Sequence, residues 1–440
     1  MPSIRGTDTQ VTLISITSST AIQISASVSS PFLATIGGQQ YRRTTPLTLD
    51  ISVSGAGGID TGAVGANTYF IFLTVNLGGL ALVASLSSSA PTGFSASRLI
   101  GRMVVGYNAN VLNVLLASPE DIYQVNLNEK APNILVNGDM AIAQRGVGPT
   151  AITSSVRFVV DRWNTFRTTD ATGLTASRQL SGIASLPYCY RLQRNSGDTS
   201  TQKLITLQNV ITENALKYSG KVVTLSFYAR RGPTASSSSL AVIFASGTGT
   251  NQSLRTGYTG QVTVMSTSVT LTTSWQRFSF ALLIPSSSTQ FAPSFEYTPT
   301  GTAGANDYFE LTGVMLNEGG IQDYRGVGPN LADDFIACQQ YYELIQGFVG
   351  YCEGTATASI TGNFAVQKWT VPTILTIGSV GMRAPSGGQD FTSASPTIAN
   401  QTATVKGFWT QVTGFASLPN TLPITDRVFN SNIRAEAEIY

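Results

Sequence analysis

The sequence predicts an all-β protein, and three observations carry that prediction: apolar and polar residues alternate with a period of two, turn-forming clusters recur at short intervals, and one segment alone has helical periodicity. In "VVTLSFYARR" the side chains of Val223, Leu225, Phe227 and Ala229 share one face, with Thr224, Ser226, Tyr228 and Arg230 on the other. "WQRFSFALL" repeats the device, with Phe278, Phe280 and Leu282 opposite Arg277 and Ser279. Links such as "SSSS" at 236–239 and "TGTAGAND" at 300–307 separate the strands.

A chain of 440 residues has room for about three domains. The first, 1–130, is expected to be β-rich. Its most apolar stretch, "TYFIFLTVNLGGLALVASL" at 68–86, is broken by Thr74, Asn76 and the Gly78-Gly79 pair, so it reads as two strands and a tight turn and not as a membrane span. "SGAGGID" at 54–60 lacks the Lys-Ser/Thr of a phosphate loop and reads as a plain loop. The second domain, 131–330, has the strand pattern of a jelly-roll sandwich, and "RGVGP" occurs near both its ends, at 145–149 and 325–329. A linking helix over 331–346 follows. Asn330 can cap it, Asp333 and Asp334 suit its positive end, and Leu331, Phe335, Cys338, Tyr342 and Ile345 form a stripe expected to pack. The last domain, 347–440, returns to β alternation and is expected to be a second sandwich. In "TVKGFWTQV" the neighbours Phe408 and Trp409 must face opposite ways, so one enters the core and the other needs a partner.

Composition narrows the function. Only 11% of residues are charged, against roughly 25% in ordinary soluble domains, which predicts that much surface is buried against sister chains. The net charge is +2 and no basic run gathers, so nucleic acid is not an expected partner. "MPSIRGTDTQ" has no basic segment followed by an apolar core, so export by the usual route is not expected. Cys189, Cys338 and Cys352 are too few and too scattered for a disulfide framework or a zinc site, and buried thiols are expected. The complete lack of histidine removes Ser-His-Asp and Cys-His catalysis and every His-containing metal site. Paired carboxylates remain. In "DYFELTGVML", however, Asp307 and Glu310 are an odd number of positions apart and should face opposite ways, while Glu296 and Glu318 have no evident mate. Neither an enzyme nor a cofactor is expected.

"NILVNGDMAIAQRG" at 133–146, followed by "DRW" at 161–163, resembles the start of a module found in phage tail-fibre proteins. The resemblance continues in order through "YSGKVVTLSFYAR", "TTSWQRFSF", "DYFELTGVMLNEGG" and "ACQQYYEL", and reaches "GIDTGAVGANTYFIFLTV" and "PTGFSASRLIGRMVVG" upstream and "AEAEIY" at the end. It implies a virion protein, generally homotrimeric, with a carbohydrate-binding-module-like jelly roll that meets a host-surface glycan. Its partners would be its own copies and other virion proteins. It leaves open whether the chain is a receptor-binding fibre or a structural component such as a head fibre or tail-hub element. Jelly rolls of this kind often hold a structural calcium, but Asp139 is followed here by apolar Met140, Ala141 and Ile142, and Thr312-Gly313 stands where acids would be expected, so no metal ligand is assigned. Trp163, Trp275, Trp369 and Trp409 are the candidate sugar platforms, each with core packing as its competing role, and Trp409 is preferred because Phe408 can take the inward place. By position, the region before Lys130 would hold the particle. The region 347–440, with loops such as "RAPSGGQDFTSASP" at 383–396, would meet the host.

Overall fold

The computed structural model describes residues 14–26, 32–36, 39–60, 64–76, 79–87, 89, 91, 93–94, 96–105, 111–116, 132–169, 173–345, 347–384, 389–419, 422–426 and 432–440. The expected first and last residues of the N-terminal domain therefore lie outside the described residues. Within it, the apolar stretch does form two antiparallel strands, Asn67–Asn76 and Gly79–Ser85. These belong to a four-stranded sheet that encloses Ile22, Leu49, Ile71, Leu82 and Met103 with a three-stranded sheet and the hairpin Phe32–Ile36/Gln39–Arg43. "SGAGGID" is a loop, pinned to the strand beside it by Gly57 N–H on the Leu82 carbonyl at 2.8 Å. A Cβ at Gly58 would lie 2.0 Å from the Val53 carbonyl oxygen, so only glycine fits that fold-back.

The central domain is a β-sandwich of jelly-roll kind. One sheet runs Thr150–Ala151, Leu174–Ile183, Leu186–Arg194, Tyr308–Glu318, Val222–Arg231 and Gln276–Leu283; the other runs Asn164–Arg167, Leu204–Leu207, Gln290–Tyr297, Ser239–Gly247 and Val262–Thr270. Neighbouring strands pair antiparallel throughout. The alternation read from the sequence is the sorting seen here: Val223, Leu225, Phe227, Ala229 and Leu282 are buried between the sheets, and Phe278 and Phe280 pack against them. Phe227 of the first sheet meets Phe295 of the second edge to face at 4.9 Å, a geometry that adds about 0.5–1.5 kcal/mol beyond area burial.

The helix is shorter than expected. It spans Leu331–Gln339, with Asn330 accepting from the N–H groups of Ala332 and Asp333 and Asp333 returning a bond to Asn330, a complete capping box. Tyr342–Leu344 is instead a strand, because its backbone finds a ladder partner in Ile433–Glu436. The expected stripe is thus split. Cys338, Tyr342 and Ile345 are buried, but Leu331 and Phe335 are 58% and 40% exposed.

The C-terminal domain packs a seven-stranded sheet against the three-stranded sheet Tyr342–Leu344, Ile433–Glu436, Thr373–Thr376, enclosing Ile360, Ile374, Phe408, Val412 and Ile433. The 383–396 segment, expected as a recognition loop, is the connection of a hairpin: Val380–Arg383 pairs with Asp390–Ser393, with Arg383 on Asp390 at 2.9 Å, and residues 385–388 lie outside the described residues. All three cysteines are buried free thiols.

Four of the stretches that carry the resemblance meet where the sandwich joins the C-terminal domain. Asn137 of "NGDM" bonds the Ile142 and Asp161 carbonyls at 2.9 Å, and its own carbonyl accepts from Trp163 Nε1 at 3.0 Å. Arg162 lies 3.4 Å from the centroid of the Tyr341 ring and pairs with Glu438. Arg145 is 3.4 Å from both Glu436 and Glu438. The chain's last residue, Tyr440, stands edge-on to Phe158 of the sandwich at 5.5 Å. "AQRG", "DRW", "QQYYEL" and "AEAEIY" are thus parts of one buried clamp.

Candidate functional site

The four tryptophans are not brought together. Trp163 has no exposed surface and sits in the sandwich core, so it offers no face to a sugar. Trp369 lies at the domain junction against Tyr341, its indole N–H bonded to the Ala437 carbonyl. Trp275 precedes its strand, outside the sandwich, half-buried beside Arg230 and held by Nε1 on the Ser181 carbonyl at 2.9 Å. Trp409 is 36% exposed on the strand Gly407–Thr413, and Phe408 takes the inward place as expected.

The acids are engaged. Asp307 accepts from Arg194 at 2.7 and 2.9 Å and from Tyr297 at 2.8 Å, while Glu310, on the other face of the same sheet, takes Arg191 and Arg230. Glu318 pairs with Lys221 at the surface. Asp139 and Asp334 are both pushed up from the ordinary aspartate range, chiefly by burial. Among the described residues no three His, Cys, Asp or Glu side chains gather as a metal would need.

Among the described residues a groove of about 640 Å³ lies on the outer face of the five-stranded sheet, within the roughly 300–1,000 Å³ usual for small-ligand sites, and a more open, more apolar hollow of about 550 Å³ lies between Ala141–Gln144 and the helix residues Leu331 and Phe335. The groove's construction follows from strand alternation. With Phe291, Phe295 and Tyr297 turned inward, Ser294 and Glu296 must turn out, and the register sets Ser294 between Leu207 and Ile243. Phe166, Ile205 and Leu207 form an apolar cluster on this outer face, joined by Leu254. Arg255 stands over the Phe166 ring at 5.4 Å and is fixed by the Ser154 carbonyl at 2.8 Å. Glu296 at the edge is neutralised by Lys203 at 2.9 Å. Thr168, Thr256, Gln261, Thr263 and Ser266 supply uncharged hydrogen-bonding groups around the apolar floor. The Ser294 hydroxyl is buried in that floor and has no hydrogen-bond partner among the described residues, and an unpaired buried polar group costs about 1–3 kcal/mol.

None of these groove residues except Glu296 stood out in the sequence. They come from strands far apart in the chain and contain no tryptophan or tyrosine, and the one local signal was the polar pair Ser294 and Glu296 alternating with aromatics.

No family model matches the sequence, and neither does any of the curated proteins. Among solved structures, similar ones include a carbohydrate-binding module, CBM4, at 16% identity over 42% of this chain and 98% of that one, TM-score 0.25. The CBM22-1 xylan-binding domain of Paenibacillus barcinonensis Xyn10C matches at 10% identity over 44% and 100%, TM-score 0.26. The enzymatically active domain of bacteriophage CBA120 tailspike protein 4 matches at 10% identity over 42% and 21%, TM-score 0.27. At these TM-scores the likenesses carry no functional argument, and the reading of function rests on the groove.

Proposed function

We propose that the chain is a glycan-binding protein and that the groove on the five-stranded sheet takes a segment of neutral saccharide. The observation that carries this reading is the groove floor: an apolar cluster, which suits the C–H face of a sugar ring, with the unpartnered Ser294 hydroxyl set in it and uncharged donors and acceptors around it. No hydrolysis accompanies binding, because Asp307 and Glu310 are tied up in ion pairs on opposite faces and Glu296 has no second carboxylate in the groove. Retardation of the protein in native gels containing neutral polysaccharides tests the reading. Thr263→Trp, which fills the rim from an exposed position, should abolish it; unchanged retardation would remove the groove from consideration.

The particle context is a further part of this proposal: a homotrimeric phage fibre protein, held by its N-terminal domain, displaying the sandwich and the C-terminal domain to the host. The low charge fraction and the ordered series of resembling stretches support it. Light scattering at low concentration checks the trimer, and a persistent mass near 46.5 kDa would exclude it. A structural or decorating virion role is favoured by a different observation: the most characteristic of the resembling residues are buried in the domain clamp, where they serve assembly of the fold and not contact with a receptor. Antibody labelling of intact particles, seen by electron microscopy, separates the two readings.

A further inference from the structure

The outer face of the six-stranded sheet, on the opposite side of the sandwich from the groove, carries a row of charged residues that core packing does not require. Arg191, Glu310 and Arg230 stand directly opposite one another on three neighbouring strands. The Glu310 side chain has no exposed surface, whereas those of Arg191 and Arg230 are 23% and 25% exposed. Glu310 Oε1 accepts from Arg191 Nε and Nη2 at 2.8 and 2.6 Å, and Oε2 accepts from Arg230 Nε at 2.5 Å. These bonds occupy both carboxylate oxygens. They leave Nη1 of Arg191 and both Nη groups of Arg230 without a hydrogen-bond partner among the described residues.

Both guanidiniums are also held from the side. Arg191 lies over Tyr308 at 3.9 Å and Arg230 over Trp275 at 4.6 Å, so the forks are pre-set and lose little freedom on meeting a ligand. One arginine would neutralise one carboxylate; the second leaves the row with a net positive charge. Cys189, on the same face, adds no negative charge, since burial and the neighbouring Glu310 push its thiol up to about 12. Planar, pre-set guanidinium groups with free Nη donors suit a carboxylate, which they can meet with two parallel bonds. A nucleic-acid backbone would require a longer track of cations than two adjacent arginines supply.

We propose that this face is a second binding site, separate from the groove, for an acidic saccharide whose carboxylate meets the free Nη groups of Arg191 and Arg230. It does not depend on the groove reading and stands if that reading fails.

The test is native-gel retardation of the full chain by polygalacturonate, dextran sulfate and neutral dextran, with duplex DNA as a fourth arm. With the groove filled by Thr263→Trp, polygalacturonate should still retard the protein and dextran should not. Arg230→Gln should weaken the effect about tenfold or more, while Thr263→Trp in the groove and Lys217→Gln at an exposed cation elsewhere leave it unchanged. Arg230→Gln can disturb packing around Glu310, so Glu310→Gln gives an independent measurement of opposite sign: it frees the guanidiniums and should tighten binding. Equal retardation of the Thr263→Trp variant by neutral dextran, a response to dextran sulfate or DNA but not to polygalacturonate, an effect of Lys217→Gln as large as that of Arg230→Gln, or weaker binding by folded Glu310→Gln would each overturn the proposal.

Discussion

The Arg145 guanidinium lies 3.6 Å from the centroid of the Tyr342 ring. Arg145 belongs to the first turns of the sandwich and Tyr342 opens the first strand of the C-terminal domain, so this one contact spans the domain boundary. The same guanidinium reaches Asp161, Glu436 and Glu438, which draws the end of the chain back to the start of the sandwich.

Glu438 is the residue whose loss should damage this junction most, because its buried carboxylate answers both Arg145 and Arg162. Glu438→Gln is expected to destabilise the folded chain by about 3–5 kcal/mol, the usual cost of leaving a buried charge uncompensated. Thermal unfolding followed by circular dichroism measures it, and a melting temperature equal to that of the parent would show that the clamp contributes nothing to stability.

Trp163 and Trp409 should separate cleanly by stability. Trp163→Ala opens the sandwich core and should cost about 3–5 kcal/mol. Trp409→Ala removes a partly exposed ring whose neighbour Phe408 does the packing, and should stay within about 0.5 kcal/mol. Denaturant titration of the two variants decides it.

How much of this was legible in the sequence depends on the range over which each signal acts. Strand faces such as Val223 to Ala229 follow from local alternation, and the structure sorts them as expected. The helix start at Asn330 follows from a four-residue cap. Its end did not, because what stops it is a strand partner, Ile433–Glu436, some ninety residues away. For the same reason the resembling stretches could be recognised before their physics was visible: Arg145, Arg162, Tyr341 and Glu438 acquire their roles only when brought together. The groove was invisible because its floor is assembled by cross-strand register between segments that look unremarkable alone.

Asp139 gives a pH signature. Burial raises its carboxyl above the ordinary value of 3.8, with Tyr324 and the Ala141 N–H partly opposing the shift. The folded state therefore holds this proton more tightly than the unfolded chain, so its contribution to stability is present in acid and lost as pH rises through the raised value. Asp139→Asn should be more stable relative to the parent at pH 7 than at pH 4, as read from paired denaturant titrations. A stability difference independent of pH would refute the assignment.

Lys368 and Glu343 form a buried pair, with side chains 0% and 2% exposed, that pins the segment after the strand Thr357–Asn363 to the Gln339 carbonyl at the end of the helix. Lys368→Met leaves Glu343 alone in the interior and should cost about 3–5 kcal/mol. Adding Glu343→Gln removes the stranded charge and keeps an acceptor oxygen for the Ala365 N–H, giving up only the longer bond from the Val366 N–H, so the double variant should recover most of that loss. A double variant no more stable than the single would mean that the lysine acts through its backbone bonds and not through the carboxylate.

Position along the sequence suggests that a chain cut near Gly347 would keep the sandwich and lose only a distal tip. The structure argues against so simple a separation, since Tyr440 returns to Phe158 and Glu438 to Arg162. Cutting there strands the buried Arg162 guanidinium, takes Glu436 and Glu438 from Arg145, and removes the ladder partner of the strand Tyr342–Leu344. The truncated chain should therefore melt well below the parent, and loss of its host binding would report lost folding and not a lost site. Point variants in the full chain avoid this. Trp409→Ala tests the C-terminal face, Thr263→Trp the groove and Arg230→Gln the arginine row, each compared with the parent for binding to host cells. Loss confined to Trp409→Ala would assign recognition to the C-terminal domain, whereas loss confined to the other two would move it to the sandwich.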